Sequence, residues 1–156
     1  MEKRVLFFRS FGPPAQFPSC RLLSVLLENP LMRPTIAIIG ASTDRNKYGN
    51  RAVRAYARQG FQVYPIHPKA DEVEGHRAYR SVSDVPVPRL DRISIYVPPG
   101  VGMQLLDEVA HKPANEVWLN PGAESPALVA HARALGLNVI QGCSILAIGV
   151  DPDELD

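Results

Sequence analysis

Five short apolar runs, each cut off by glycine, proline or a polar turn, recur along residues 35–140 with helical patterns between them. The first, Ile36-Ala37-Ile38-Ile39, has no polar position and stops at Gly40, which predicts a strand buried on both faces. Residues 49–59 then place Ala52, Val53, Tyr56 and Ala57 on one helical face, and Gly60 closes that helix. Residues 61–66 predict a second strand stopped by Pro68, and residues 92–97 a third ended by Pro98-Pro99. Residues 116–119 predict a fourth before Asn120-Pro121-Gly122, and residues 137–140 a fifth. Residues 71–91 are turn-rich, with one short helix near Ser83. Val101, Leu105, Leu106, Val109 and Ala110 mark a helix ending before Pro113. Ser125-Pro126 supply the N-cap and first-turn proline of the next, with Leu128, Ala132 and Leu135 as its buried stripe and Gly136 as its end. Alternation at this spacing predicts the α/β class: a Rossmann-like, doubly wound, mainly parallel five-stranded sheet with helices on both faces.

The chain has 156 residues, room for one domain. The pattern assigns residues 33–150 to it and residues 151–156 to a C-terminal tail. Residues 1–32 carry Pro13, Pro14, Pro18 and Pro30 without a period and are expected to be an extension outside the fold. They fit an upstream start ahead of a true one at Met32, a targeting segment or a docking arm. The abrupt onset of the globular pattern after Met32 favours the first. No run of 18 apolar residues reads as a membrane span. Cys20 and Cys143 are too few for a disulfide framework, which fits a reducing cytoplasm.

The formal net charge of +1 argues against a nucleic-acid footprint, yet it conceals a segregation. Residues 33–80 hold nine basic against four acidic side chains, and residues 81–156 hold four against ten. That division suits a local anionic ligand, and solvated helix faces account for part of it. Arg51, Arg54 and Arg58, at i, i+3 and i+7, have the spacing of an outward stripe.

In a doubly wound sheet ligands lie beyond the carboxyl ends of the strands. After the first strand come Gly40-Ala41-Ser42, then Lys47-Tyr48-Gly49 opening the helix. A glycine turn, a hydroxyl, a cation and free helix N–H groups form phosphate-binding chemistry, although an ordinary strand-to-helix loop has the same look. Gly40, Ser42 and Arg45 occupy the three glycine positions of the dinucleotide fingerprint, so only the first glycine is present. NAD would call for an acid at the end of the second strand; this chain has Ile66-His67-Pro68-Lys69. A cation there suits a phosphorylated ribose, as in NADP or coenzyme A, and an exposed loop lysine would read the same way. Tyr96-Val97-Pro98-Pro99 makes either a rigid apolar ledge for an adenine face or a helix start. The amides of Asn120-Pro121-Gly122 are free to meet a ligand's polar arm. Cys143 is either a packed small residue or a thiol at the ligand edge. His67, His76, His111 and His131 show no metal-ligand spacing, and neither a nucleophile elbow nor a P-loop occurs.

The succession Ile36-Ala37-Ile38-Ile39-Gly40-Ala41-Ser42, Lys47-Tyr48-Gly49-Asn50-Arg51, Val63-Tyr64-Pro65-Ile66-His67-Pro68-Lys69, Gly75, Tyr79, Tyr96-Val97-Pro98-Pro99, the run from Val117 to Ser125, and Gly142-Cys143 resembles the small stand-alone coenzyme A-binding proteins. These are similar to the amino-terminal domain of the succinyl-CoA synthetase alpha subunit. The likeness covers about residues 33–148, and His67 stands where the family more often has asparagine. It implies a coenzyme A site built from Gly40, Ala41, Ser42, Lys47, Tyr48, Gly49, Pro68, Lys69, Val97, Pro98, Pro99, Asn120, Pro121, Gly122 and Cys143. Within it, Gly40 and Ser42 would lie against phosphate and Lys69 would face the phosphorylated nucleotide end. Val97, Pro98 and Pro99 would line adenine, and Asn120, Pro121 and Gly122 would approach the pantetheine arm. The synthetases keep their catalytic phosphohistidine in a further domain, so the resemblance implies binding of coenzyme A or a short acyl-CoA without catalysis. The alternatives are an NADP-linked oxidoreductase module and a regulatory or partner subunit of an acyl-CoA ligase. A protein partner or homodimer is compatible with the sequence.

Overall fold

The structure, a computed structural model, describes residues 33–155. The expectations for residues 1–32, including Cys20 and the start at Met32, lie outside them. Strand β1 (Thr35–Ile39) leads through helix α1 (Tyr48–Arg58) to β2 (Gln62–Ile66). A hairpin of β3 (Glu72–Val73) and β4 (His76–Arg77) follows, then a 3-10 turn, Val82–Asp84. Next come β5 (Leu90–Ile95), α2 (Pro99–His111), β6 (Ala114–Leu119), α3 (Pro126–Ala134), β7 (Val139–Gln141) and the short α4 (Ser144–Ala147). A last 3-10 turn spans Pro152–Glu154. Among the described residues no helix is long and apolar enough to cross a membrane.

The main sheet has the order β2-β1-β5-β6-β7 and every pairing in it is parallel. Alternation along β1 serves both faces. Ile36 and Ile38 pack with Ala52, Val53 and Tyr56 of α1, while Ala37 and Ile39 pack with Leu106 and Val109 of α2 and Leu128 of α3. All four β1 side chains are at most 3% exposed, which is why the run carries no polar residue. The order turns back at β1: α1 leads outward to β2, whereas β5, β6 and β7 proceed the other way. Right-handed crossovers then put α1 on one face and α2 and α3 on the other. The switch point, where ligand clefts form, lies between the carboxyl ends of β1 and β5.

β2 is an edge strand that contains a proline. The Pro65 carbonyl accepts from the Tyr79 N–H at 2.9 Å on the side away from β1. N–H and C=O of one strand residue point the same way, so the missing donor falls on the outer edge, where proline is tolerated. The hairpin turn at Glu74-Gly75 has two positive φ values, 50° and 80°, as tight two-residue hairpins require.

Several sequence expectations shift. The third strand runs from Leu90 to Ile95 rather than over residues 92–97, because the chain leaves the sheet at Tyr96 to begin the Pro98-capped α2. The fifth begins at Val139; Leu137 instead closes the end of α3 through its N–H to the Ala132 carbonyl. Leu135, expected in the buried stripe, caps α3 and is 37% exposed. Arg54 does not face outward. It is 8% exposed and donates to Asn50 Oδ1, the Arg45 carbonyl and the Leu155 carbonyl. Residues 151–155 do not behave as a tail: Pro152 and Leu155 are buried, and Arg51 bonds Asp153 at 2.8 Å. Apolar residues at 152 and 155 have α1 to pack against, which a linear reading does not see.

Candidate functional site

At the switch point Gly40 turns the chain with φ of +86°, a conformation that favours glycine. A Cβ there would lie 3.0 Å from Val97 Cγ1 and 3.1 Å from the Tyr96 carbonyl carbon. Gly49, the second residue of α1, is tighter still: a Cβ would stand 2.0 Å from the Gly40 carbonyl oxygen. The glycine pair therefore lets the helix start rest directly on the loop. Asn50 ties the two together. Fully buried, it donates to the Ser42 carbonyl at 2.8 Å and to Glu74 Oε1 at 3.0 Å, and accepts from Arg54. Glu74 also pairs with Arg45. The Asn50 hydrogen bond first, and then Arg45, hold its carboxyl below the ordinary carboxylate range. Lys47 caps α1 through its backbone alone, and no acid occupies the first turn. The positive end of the helix dipole thus faces the loop unneutralised from within that turn.

Two pockets flank this loop. One, of about 250 Å³, is walled by Ile39, Gly40, Ile66, Pro68 and Val97 at the strand ends, and by Val101 and Leu105 of α2. Arg80 stands at it, its guanidinium donating to the Ala70 carbonyl at 2.5 Å and pairing with Asp71 at 2.6 Å. Glu108 is there too, its carboxylate accepting from Ser81 and from the Val82 N–H. Lys69 is exposed on the adjoining turn. The imidazole of His67 organises that turn: Nδ1 accepts from the backbone N–H of Lys69 at 3.0 Å and of Ala70 at 2.8 Å. This is the bond pattern an asparagine side chain makes in an Asx turn, so histidine replaces asparagine without loss of the turn.

The other pocket, of about 290 Å³, lies beyond β5, β6 and β7 and is lined by Tyr48, Tyr96, Asn120, Pro121, Cys143, Leu146 and Pro152. Its floor is a buried polar network. Asn120 donates to Ser94 Oγ at 2.8 Å and to the Ile95 carbonyl at 3.0 Å, and accepts from the Ser144 N–H at 2.9 Å. Ser144 Oγ meets Ser94 Oγ at 2.7 Å and the Tyr96 hydroxyl at 3.0 Å, and its carbonyl accepts from Tyr56 at 3.0 Å. Burial, only partly opposed by these bonds, pushes the Tyr96 phenol far above its usual range and keeps it neutral.

The residues singled out from sequence are thus divided. Gly40, Pro68 and Val97 line the first pocket, and Tyr48, Asn120, Pro121 and Cys143 the second. Ser42 and Lys47 belong to the loop between, with Ala41 and Gly49 buried behind it. Lys69, Pro98, Pro99 and Gly122 adjoin lining residues without lining either pocket; Pro98 caps α2 and Pro99 begins it. The Asn120 side chain is spent on the protein itself rather than left for a ligand. Sequence reasoning missed Arg80, Asn50, Ser144 and Leu146. Asn50 stands in the motif Lys47-Tyr48-Gly49-Asn50-Arg51 that carries the resemblance, without a role assigned to it there.

A single parallel sheet with a glycine turn at its switch point, flanked by two clefts at its carboxyl edge, defines a doubly wound, Rossmann-like α/β domain. Residues 34–149 match the CoA binding domain family, and the chain belongs to it. Over 78 residues it is 38% identical to the alpha subunit of acetate–CoA ligase [ADP-forming] II of Pyrococcus furiosus, covering 49% of this chain and 17% of that one. Over 64 residues it is 41% identical to 4-hydroxybutyrate–CoA ligase [ADP-forming] of Nitrosopumilus maritimus, covering 39% and 9%. The chain therefore spans less than a fifth of the length of these ligases. A conserved hypothetical protein of Pyrococcus furiosus superposes with TM-score 0.65 at 32% identity, covering 74% of this chain and 98% of that one. The dinucleotide-forming acetyl-coenzyme A synthetase 1 of Ca. Korarchaeum cryptofilum, in complex with phosphate and ADP, superposes with TM-score 0.60 at 32% identity. That match covers 70% of this chain and 26% of the synthetase.

Proposed function

We propose that this domain binds coenzyme A or a short acyl-CoA and performs no reaction of its own on it. The observation that carries the reading is the division of charge at the carboxyl edge. Lys69 stands exposed beside the slot at the end of β2, whose charged lining residues, Arg80 and Glu108, are each bonded within the protein, and the second pocket has no charged lining residue. In this reading adenine packs on Val97 beside Pro98 and Pro99, and Lys69 meets the ribose 3′-phosphate. The Gly40-Ala41-Ser42 turn, Lys47 and the start of α1 hold the diphosphate. The arm then passes Tyr48 toward Pro121, Gly122 and Cys143, with Asn120 shaping the floor. Among the described residues, the buried hydroxyls of Ser94, Ser144 and Tyr96 and the Asn120 amide at this edge bond one another and the backbone. The acyl-CoA ligases that share this stretch support coenzyme A as the ligand class.

The test is thermal unfolding with coenzyme A, NAD and NADP. At a hundredfold excess over Kd a ligand adds about 2.7 kcal/mol, so coenzyme A raises Tm and NAD leaves it in place. Equal shifts from coenzyme A and NAD overturn the assignment, and a larger shift with NADP favours an oxidoreductase module.

A further inference from the structure

Four large apolar side chains are strongly exposed among the described residues: Tyr48, Val101, Leu135 and Leu146. Leu135 caps α3, and Val101 lines the cation-flanked slot. Tyr48 and Leu146, the two most exposed at 53% and 59%, both line the second pocket. Apolar surface gathered at one concavity marks a binding face rather than scattered exposure. On the coenzyme A reading, on which this inference rests, Lys69 fixes the nucleotide at the first slot, so the thioester end reaches the second. We propose that the pocket of Tyr48, Cys143 and Leu146 seats the acyl group of an acyl-CoA, and that it selects uncharged apolar acyl chains over free coenzyme A and over carboxylate-bearing ones.

Three features support the selection. The volume, about 290 Å³, is roughly ten times a water molecule's share of the liquid, more than a bare thiol fills. The polar atoms of the floor are already paired: the Asn120 amide is spent on Ser94, Ile95 and Ser144, and the Tyr96 hydroxyl on Ser144. None of the lining residues is charged, so a carboxylate brought in would give up its water with no cation in return. Arg51, next to the rim, lies 5.2 Å over the Tyr48 ring and is paired with Asp153 at 2.8 Å.

Calorimetric titration of the full chain with coenzyme A, butyryl-CoA and succinyl-CoA tests this. Buried methylenes and an unpaired buried carboxylate each change affinity by about tenfold or more. Butyryl-CoA is therefore expected to bind at least about tenfold more tightly than both coenzyme A and succinyl-CoA. Leu146 is exposed, so Leu146→Lys leaves the core untouched; it should reverse the order of the butyryl and succinyl thioesters. Binding of all three with equal affinity, or a Leu146→Lys variant with the wild-type order, overturns the acyl pocket and leaves the coenzyme A reading standing. Failure of coenzyme A and both thioesters to bind overturns that reading, and this proposal with it.

Discussion

Replacing Gly49 by alanine puts one methyl group between α1 and the Gly40 turn. Its Cβ would stand 2.0 Å from the Gly40 carbonyl oxygen, 2.9 Å from the Gly40 carbonyl carbon and 3.2 Å from the Ala41 Cα. All three are backbone atoms, so no side-chain rotation relieves the overlap; helix and loop must separate by about 1.5 Å before ordinary contact is restored. The loop resists, because Asn50 anchors it from the next position and Gly40 is wedged against Val97. Overpacking of this kind costs about 1–3 kcal/mol and sometimes more, while alanine's better helix propensity returns up to about 1 kcal/mol. An overlap on three backbone atoms sits at the top of that range, so the clash wins and a net loss of about 2 kcal/mol is expected.

Gly100 provides the internal control. It is also the second residue of a helix, α2, and a Cβ there meets nothing within 4 Å. Gly100→Ala should therefore be neutral or stabilising by about 0.4–1 kcal/mol. Urea unfolding of both variants separates the effects: with m of about 2 kcal/mol/M, the Gly49→Ala midpoint falls by about 1 M while that of Gly100→Ala holds or rises. Coenzyme A affinity should fall with Gly49→Ala as the loop is displaced. A Gly49→Ala protein as stable as wild type would show that the helix start does not rest on the loop.

Lys69→Ala should weaken coenzyme A about tenfold or more yet leave 3′-dephospho-coenzyme A nearly unchanged, since a charge-assisted phosphate contact is worth about 1.5–3 kcal/mol; titration with both ligands decides it. Because the Glu74 carboxyl is held low by Asn50 and Arg45, its contribution to stability is full above the unfolded value near about 4.3 and disappears as pH falls through the lower folded value. Comparing Glu74→Gln with wild type in unfolding experiments from pH 6 down to pH 3 should therefore show wild type losing the more stability, and parallel curves would contradict the network. Exchange with coenzyme A disulfide, which releases one coenzyme A thiol per mixed disulfide formed, should label Cys143 when Cys20 has been replaced. Intact mass reads the adduct, which should vanish in Cys143→Ser, and its absence under conditions that modify a control thiol would place the arm elsewhere.

The fold was legible because β1, β2, β5 and β6 each advertise themselves locally, through a buried apolar run with a glycine, proline or turn behind it. The parallel class followed from the alternation, and the ligand edge followed from the class. Boundaries slipped where long-range pairing decided them: Leu90 joins β5 by lying opposite Ala114, and Leu137 is drawn off by the end of α3. Side-chain roles at the site slipped for a different reason. Periodicity sorts helix residues by face, but it does not say what that face meets. Spacing alone sets Arg54 on an outward stripe, but the Leu155 carbonyl lies over it, and the turn alone leaves Asn120 open to a ligand, but Ser94 and Ser144 surround its side chain. Spacing near Gly40 indicates a phosphate turn, whereas the reason for Gly49 is that a Cβ there would stand 2.0 Å from the carbonyl oxygen of a residue nine positions earlier. Local sequence set the elements and the end of the sheet to examine. The two pockets, one with charged residues in its lining and the other with none, exist only once β1, β5 and β6 lie side by side, because they are made of residues distant in the chain.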